Sequence, residues 1–224
     1  MSERLPLGVF GGTFDPVHVG HLRLAEEACE LLGLARVRWI PAGQPRHRET
    51  PRVAPAHRLR MVELAIAGNP RFELDAAEAE SGEASYTVPT LERLRIESGA
   101  AQPLVLILGA DAYAGLPTWH RWREIFSLAH VAVTHRPGFP VDPAALPEAL
   151  RREHLARIAA GDDAAALAAA PAGRILGFAM TPLAVSATQV RALLAAGRSA
   201  RYLLPPAVID YIDLHHLYRS RNGS

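Results

Sequence analysis

"GVFGGTFDPVHVGHLRLAEEA", residues 8–28, sets an apolar run, a double glycine and a helical pattern end to end. The run stops at Gly11-Gly12, and from Val19 onward Leu22, Ala25, Ala28 and Leu32 recur on one helical face until Gly33. That order is strand, turn, helix. Glycine in such a turn lets backbone N–H groups approach a ligand closely, and the helix that follows presents its positive end, where an anion binds. His18 and His21 stand three apart at the helix start, a spacing that shares one face. The plain alternative is a capped helix with two surface histidines. A zinc site lacks cysteine partners, the HExxH spacing and a third ligand. Two imidazoles beside a glycine turn favour phosphate. The stretch is neither the GxGxxG fingerprint nor the Walker loop, whose Gly-Lys-Ser/Thr this chain does not contain. Asp15, ahead of Pro16, reads as a turn residue.

Outward from this stretch, strand-like and helix-like segments alternate. Strands are expected at residues 5–10, 37–41, 72–75, 104–108, 130–134 and 174–178. Helices are expected at residues 19–32, 55–67, from a cap at Ser85 to 97, 119–126, 186–196 and 205–217. Residues 42–54, rich in Pro, Arg and His, read as a loop. The pattern predicts an α/β fold: a Rossmann-like, doubly wound, mainly parallel sheet with helices on both faces and right-handed crossovers. Ligands in such folds lie at the carboxyl ends of the strands. A single domain is expected over 1–224, with an Ala-rich insertion at about 139–173 and a helical carboxyl-terminal part at 186–218.

Composition narrows the partners. The 224 residues carry a net charge of +1, unlike the basic footprint of a nucleic-acid binder, so no nucleic acid is expected. All 24 basic residues are Arg, so any cationic contact to phosphate comes from Arg, His or a metal. Cys29 is the only cysteine and falls in a helical pattern, as a small buried hydrophobe. No apolar stretch has membrane-spanning length, and the amino-terminal run is too short for a secretory signal. A cytoplasmic protein is expected, and homo-oligomerisation stays open.

"GGTFDPVHVGH" (11–21) resembles the HxGH signature of the nucleotidyltransferase superfamily, and "VSATQVR" (185–191) its Ser-x-Thr-x-x-Arg helix start. Taken alone, the second motif is a good helix N-terminus with Ser186 as N-cap. Further stretches, "IPAGQPRHR" (40–48), "ASYTVPTLERLR" (84–95), "LILGADAYAGLPTWHRW" (106–122), "HRPG" (135–138) and "YLLPPAVIDYIDLHHLY" (202–218), resemble the bacterial nicotinate-nucleotide adenylyltransferase family nearly end to end. The resemblance implies transfer of the adenylyl group of ATP to nicotinic acid mononucleotide, giving nicotinic acid adenine dinucleotide and pyrophosphate, with Mg²⁺ accompanying ATP and no dedicated metal ligands on the protein. It implies His18, His21 and Arg191 as catalytic residues. It places Gly11, Gly12, Thr13, Phe14, His47, Gly109, Ser186 and Thr188, with those three, at ATP. It assigns Arg48, Thr87, Asp111, Trp119, His120 and Arg136 to the mononucleotide: Trp119 stacking on the pyridine ring, backbone N–H groups at Thr87 and His120 receiving the carboxylate, Asp111 at the ribose, Arg136 at the phosphate. Neighbouring phosphate is expected to raise the histidine pKa values and favour imidazolium.

Overall fold

A computed structural model describes residues 4–45, 50–159 and 165–219. Strand β1 (Leu7–Gly12) is followed by helix α1 (Val19–Leu31), strand β2 (Arg36–Pro41) and a two-residue strand β3 (Gln44–Pro45). Helix α2 (Pro55–Ile66), strand β4 (Phe72–Leu74), the single-turn α3 (Ala77–Glu80) and strand β5 (Ala84–Ser85) come next. Helix α4 (Thr87–Ser98), strand β6 (Leu104–Gly109), short helices α5 (Ala110–Ala114) and α6 (Ile125–Leu128), and strand β7 (His130–His135) occupy the middle of the chain. Then follow α7 (Glu148–Arg157), α8 (Ala165–Ala168), β8 (Ile175–Ala179), α9 (Ala187–Ala195) and α10 (Pro206–Leu214). The long strands are ordered β4-β2-β1-β6-β7-β8, and β1, β6, β7 and β8 pair in parallel. This is the expected Rossmann-like α/β fold, and the strand order reverses direction between β1 and β6. Among the described residues no helix is long and apolar enough to cross a membrane.

The chain forms two compact units. The first comprises Met1–Gly11, Leu24–Arg38 and Tyr86–Pro182. Its centre is β6, whose residues Leu104, Val105, Leu106, Ile107 and Leu108 are all buried, flanked by Val131, Ala132 and Val133 of β7. Burial on both faces explains why these strands are continuously apolar rather than alternating, and each fully buried branched side chain contributes about 1.5–3 kcal/mol. Cys29 is buried in this unit. Glu27 of α1, also buried, accepts from the Thr181 N–H at 2.7 Å and from its hydroxyl, which ties the chain after β8 to α1.

The second unit comprises Gly12–Arg23, Trp39–Ser85 and Leu183–Ser224. Trp39 is its largest fully buried side chain, with Phe14 at 5.4 Å and Phe72 at 5.3 Å between ring centroids. The Val19 N–H donates to the Leu203 carbonyl at 3.0 Å, fastening the start of α1 to the segment before α10. α10 lies on α2, with the His57 Nδ1 and the Tyr211 hydroxyl 3.0 Å apart.

Three local expectations are corrected. Ser85 does not cap α4. It lies in β5, where its Oγ accepts from the Gly43 N–H at 2.8 Å, and the helix begins after Tyr86. Residues 119–126 are not one helix: a 3₁₀ turn at Leu116–Thr118, another at Trp122–Glu124 and then α6 replace it, with Arg121 left-handed at φ 56° between them. Residues 42–54, expected as loop, contain β3, which pairs with β5.

Candidate functional site

The second unit holds most of the motif residues. Gly12 closes β1, and a Cβ there would stand 2.8 Å from the Phe14 ring, so glycine lets that ring fold back over the turn. Phe14 is buried at φ 49° and meets His21 edge-on at 5.1 Å. His18 and His21 stack, with ring centroids 3.7 Å apart and planes 23° from parallel. The His18 N–H donates to Nδ1 of His21 at 3.2 Å. While that bond holds, Nδ1 of His21 is the acceptor and its proton resides on Nε2.

His18 is 7% exposed, and burial lowers its pKa to about 4. Its Nδ1 is buried without a hydrogen-bond partner. Withdrawal from water outweighs everything else acting on that ring, so His18 is a neutral imidazole in the free protein at neutral pH. The imidazolium expected from the sequence belongs to a phosphate-bound state.

Gly20, between the two histidines, joins the motifs. A Cβ on it would lie 2.8 Å from Val185 Cγ1 and 3.1 Å from His18 Nδ1. The start of α1 thus packs directly on the residue preceding Ser186. Ser186 is the N-cap of α9, as expected, its Oγ accepting from the Gln189 N–H at 3.2 Å. Thr188 and Arg191 follow on that helix. Arg191 donates from NH1 to the Asp15 carbonyl at 2.8 Å and from NH2 to Thr188 Oγ1 at 3.2 Å.

Two residues the sequence did not single out organise this unit. Asp15 lies in a turn, as expected, but is only 5% exposed, and it takes hydrogen bonds from the Arg52 N–H and the Tyr218 hydroxyl. Arg58, fully buried, donates to the Thr13 carbonyl and to the Gly43 carbonyl, both at 2.7 Å, and so joins the turn after β1 to the loop after β2. Its burial lowers its pKa, with Asp15 the first of the opposing influences. A signal for Arg58 exists in hindsight: it lies on the stripe of buried Met61, Val62 and Ile66, at helical spacing. For Asp15 the only signal was its place inside the glycine-histidine stretch.

The first unit holds the other assigned residues. Gly11, exposed, lies in β1, and the first segment of this unit ends there. Gly109 is the N-cap of α5 at the end of β6, and Asp111 lies in that helix's first turn. Gly109 registers with Thr134 of β7, two residues before Arg136, so Asp111 and Arg136 follow neighbouring strands at their carboxyl ends. Thr87 opens α4, where an N–H has no acceptor within the helix. The ring of Tyr86 lies 5.1 Å from that of His120, which brings the start of α4 beside the Trp119-His120 turn. Trp119 is half-buried, its N–H donating to the Leu116 carbonyl at 3.0 Å. His47 and Arg48 lie outside the described residues. Among the described residues no group of three or more His, Cys, Asp or Glu side chains could hold a metal ion.

Comparison with known proteins gives the family and the fold. The cytidylyltransferase-like family profile matches residues 9–193. A "Probable nicotinate-nucleotide adenylyltransferase" of Dechloromonas aromatica (strain RCB) is 63% identical over 220 residues, covering 98% of this chain and 100% of the relative. A protein of the same printed name from Pseudomonas aeruginosa (strain UCBPP-PA14) is 50% identical over 220 residues, covering 98% of this chain and 99% of the relative. Among solved structures, the Plasmodium falciparum nicotinic acid mononucleotide adenylyltransferase complexed with NaAD superposes with a TM-score of 0.69 at 15% identity, covering 96% of this chain and 97% of that one. At that identity the likeness is one of fold.

Proposed function

Because the chain belongs to the cytidylyltransferase-like family and, within it, to the nicotinate-nucleotide adenylyltransferases, we propose that it joins the phosphate of nicotinic acid mononucleotide to the adenylyl group of ATP, releasing pyrophosphate. The observation that carries the reading is the stacked His18–His21 pair, packed through Gly20 onto the residue before the Ser186 cap.

The nucleophile is a phosphate monoester with a second pKa near ~6, so it is already mostly a dianion at neutral pH. A protein base is not needed, and the phosphate attacks the α-phosphorus directly, in line with the departing pyrophosphate. Catalysis then rests on positioning and on donors aimed at the charge that develops on the leaving group. We assign that task to His18, to the Nε2–H of His21, to the α9 N-terminus with Ser186 and Thr188, and to Arg191. Gly11, Gly12, Thr13, Phe14 and Gly109 shape the approach to ATP in this reading, and His47 adds a phosphate contact. Mg²⁺ enters as part of the substrate, on triphosphate oxygens and water, and neutralises phosphate charge; it keeps much of its hydration in such sites.

Selectivity for the acid follows from donors. The N–H groups at Thr87 and His120 donate to the carboxylate, whereas an amide NH₂ would set donor against donor. Trp119 stacks on the pyridine ring, Asp111 bonds the ribose, and Arg136 and Arg48 meet the mononucleotide phosphate. A cytoplasmic enzyme fits these small, soluble substrates.

The test is pyrophosphate release by the purified protein with ATP, Mg²⁺ and nicotinic acid mononucleotide, repeated with the amide mononucleotide. The acid form should turn over with a kcat/KM at least about a hundredfold higher. No release with the acid, or parity between the two forms, would overturn the assignment.

A further inference from the structure

We propose that Asp15 and Tyr218 are positioning residues for Arg191, so that the carboxyl-terminal turn at Leu217-Tyr218 belongs to the phosphate-handling apparatus. The proposal rests on the assignment of Arg191 to the ATP phosphates. Asp15 is 5% exposed, and each of its carboxylate oxygens already has a donor: the Tyr218 hydroxyl on Oδ1 at 2.7 Å and the Arg52 N–H on Oδ2 at 2.7 Å. Arg191 is near but not bonded to that carboxylate, with NH1 at 4.0 Å from Oδ2. It takes the Asp15 main-chain carbonyl instead, at 2.8 Å. Leu217 is buried, and its N–H donates to the Ile212 carbonyl at 3.0 Å. The next residue turns left-handed at φ 61°, which carries the tyrosine ring inward.

This arrangement solves a particular problem. A buried carboxylate beside an arginine ordinarily draws the guanidinium into a bidentate pair. Here tyrosine and main-chain donors satisfy the carboxylate first. Arg191 is oriented by the Asp15 carbonyl and by Thr188 and is attracted by the nearby charge, yet the rest of its five-donor fork stays available to an anion. Burial and the adjoining carboxylate both raise the Tyr218 pKa, so the hydroxyl keeps its proton and keeps donating across the working pH range. Removing the hydroxyl leaves Oδ1 short of a donor. The carboxylate then recruits Arg191, at the expense of phosphate.

The experiment is a double-mutant cycle on the full chain, reading ATP affinity by calorimetry and turnover by pyrophosphate release. Tyr218→Phe should weaken ATP binding about tenfold, the effect of one hydrogen bond to a charged group. In an Arg191→Ala background the same change should alter affinity less than about twofold. Asp15→Asn, which keeps the shape and removes the charge, should show the same dependence on Arg191. Arg219→Ala, which among the described residues loses a surface pair with Asp213, should leave affinity and turnover unchanged. Equal losses from Tyr218→Phe in both backgrounds, or no loss in the parent, would overturn the proposal. If the couplings appear in ATP affinity but no dinucleotide forms, the functional assignment fails and the network stands. If the dinucleotide forms without the couplings, the network alone fails.

Discussion

Gly20→Ala should separate stability from activity at the joint between the two motifs proposed to handle phosphate. The residue lies in α1, where alanine is the better helix former by about 0.5–1 kcal/mol. Backbone propensity therefore favours the substitution. The new methyl, however, would meet Val185 Cγ1 at 2.8 Å and His18 Nδ1 at 3.1 Å. Ordinary contact between carbons lies near ~3.5–4.0 Å, so roughly 1 Å has to be found. Overpacking of this kind costs about 1–3 kcal/mol, enough to cancel or modestly exceed the helical gain. The displacement falls on the His18 ring and on the segment that positions the Ser186 cap. A misplacement of about 1 Å in a reacting geometry costs on the order of a hundredfold in rate. The expected variant melts within a few degrees of the parent and turns over about a hundredfold more slowly. Val185→Ala removes the nearest of the clashing atoms. Combined with Gly20→Ala it should restore most of the turnover, short of complete recovery because the His18 contact persists. Thermal melts and pyrophosphate-release kinetics on the four proteins decide it. A double variant as slow as Gly20→Ala would refute the steric reasoning, as would a Gly20→Ala protein with parental turnover.

Three other outcomes are expected. His18 has a folded pKa of about 4 against 6.5 unfolded, so the unfolded state binds more protons between those values and stability falls as pH drops through that window, by about 3 kcal/mol in full. His130 and His154, also lowered by burial, act in the same direction; His18→Gln should therefore flatten the fall in melting temperature from pH 6.5 to 4 but not abolish it, and an unchanged slope would argue against a buried neutral His18. Arg58→Leu strips donors from the Thr13 and Gly43 carbonyls and should lower stability by about 2–5 kcal/mol in denaturant titrations; a parental midpoint would show that the two loops stand without it. Trp119→Ala should raise the Michaelis constant for the mononucleotide far more than that for ATP, and equal effects on both would count against ring stacking there.

Legibility varied with how local the determining forces are. β6 was readable because Leu104 to Leu108 form a run that only a strand covered on both faces needs. The Ser186 cap was readable because a serine side chain reaches only a few residues along its own chain. Ser85 looked equally capable of capping, yet its hydroxyl serves Gly43, 42 residues earlier, because β3 and β5 pair. A two-residue strand has no pattern of its own, so nothing local announces it. Residues 119–126 misled for a related reason: their apolar spacing suits a helix, but Arg121 at positive φ breaks it into two turns. The burial of Arg58 shows the same limit, since its acceptors are carbonyls supplied by two distant turns.

By itself the sequence determined the alternation of strands and helices, the glycines at the end of β1, the two histidines three apart at the start of α1 and the cap of α9. Each depends on spacing or on a residue type within a few positions. Tertiary structure alone decided that His18 is neutral, because desolvation is set by what surrounds the ring rather than by its neighbours in the chain. It alone made Gly20 the contact between the two motifs. And it alone brought Tyr218, 203 residues along the chain, onto the carboxylate of Asp15.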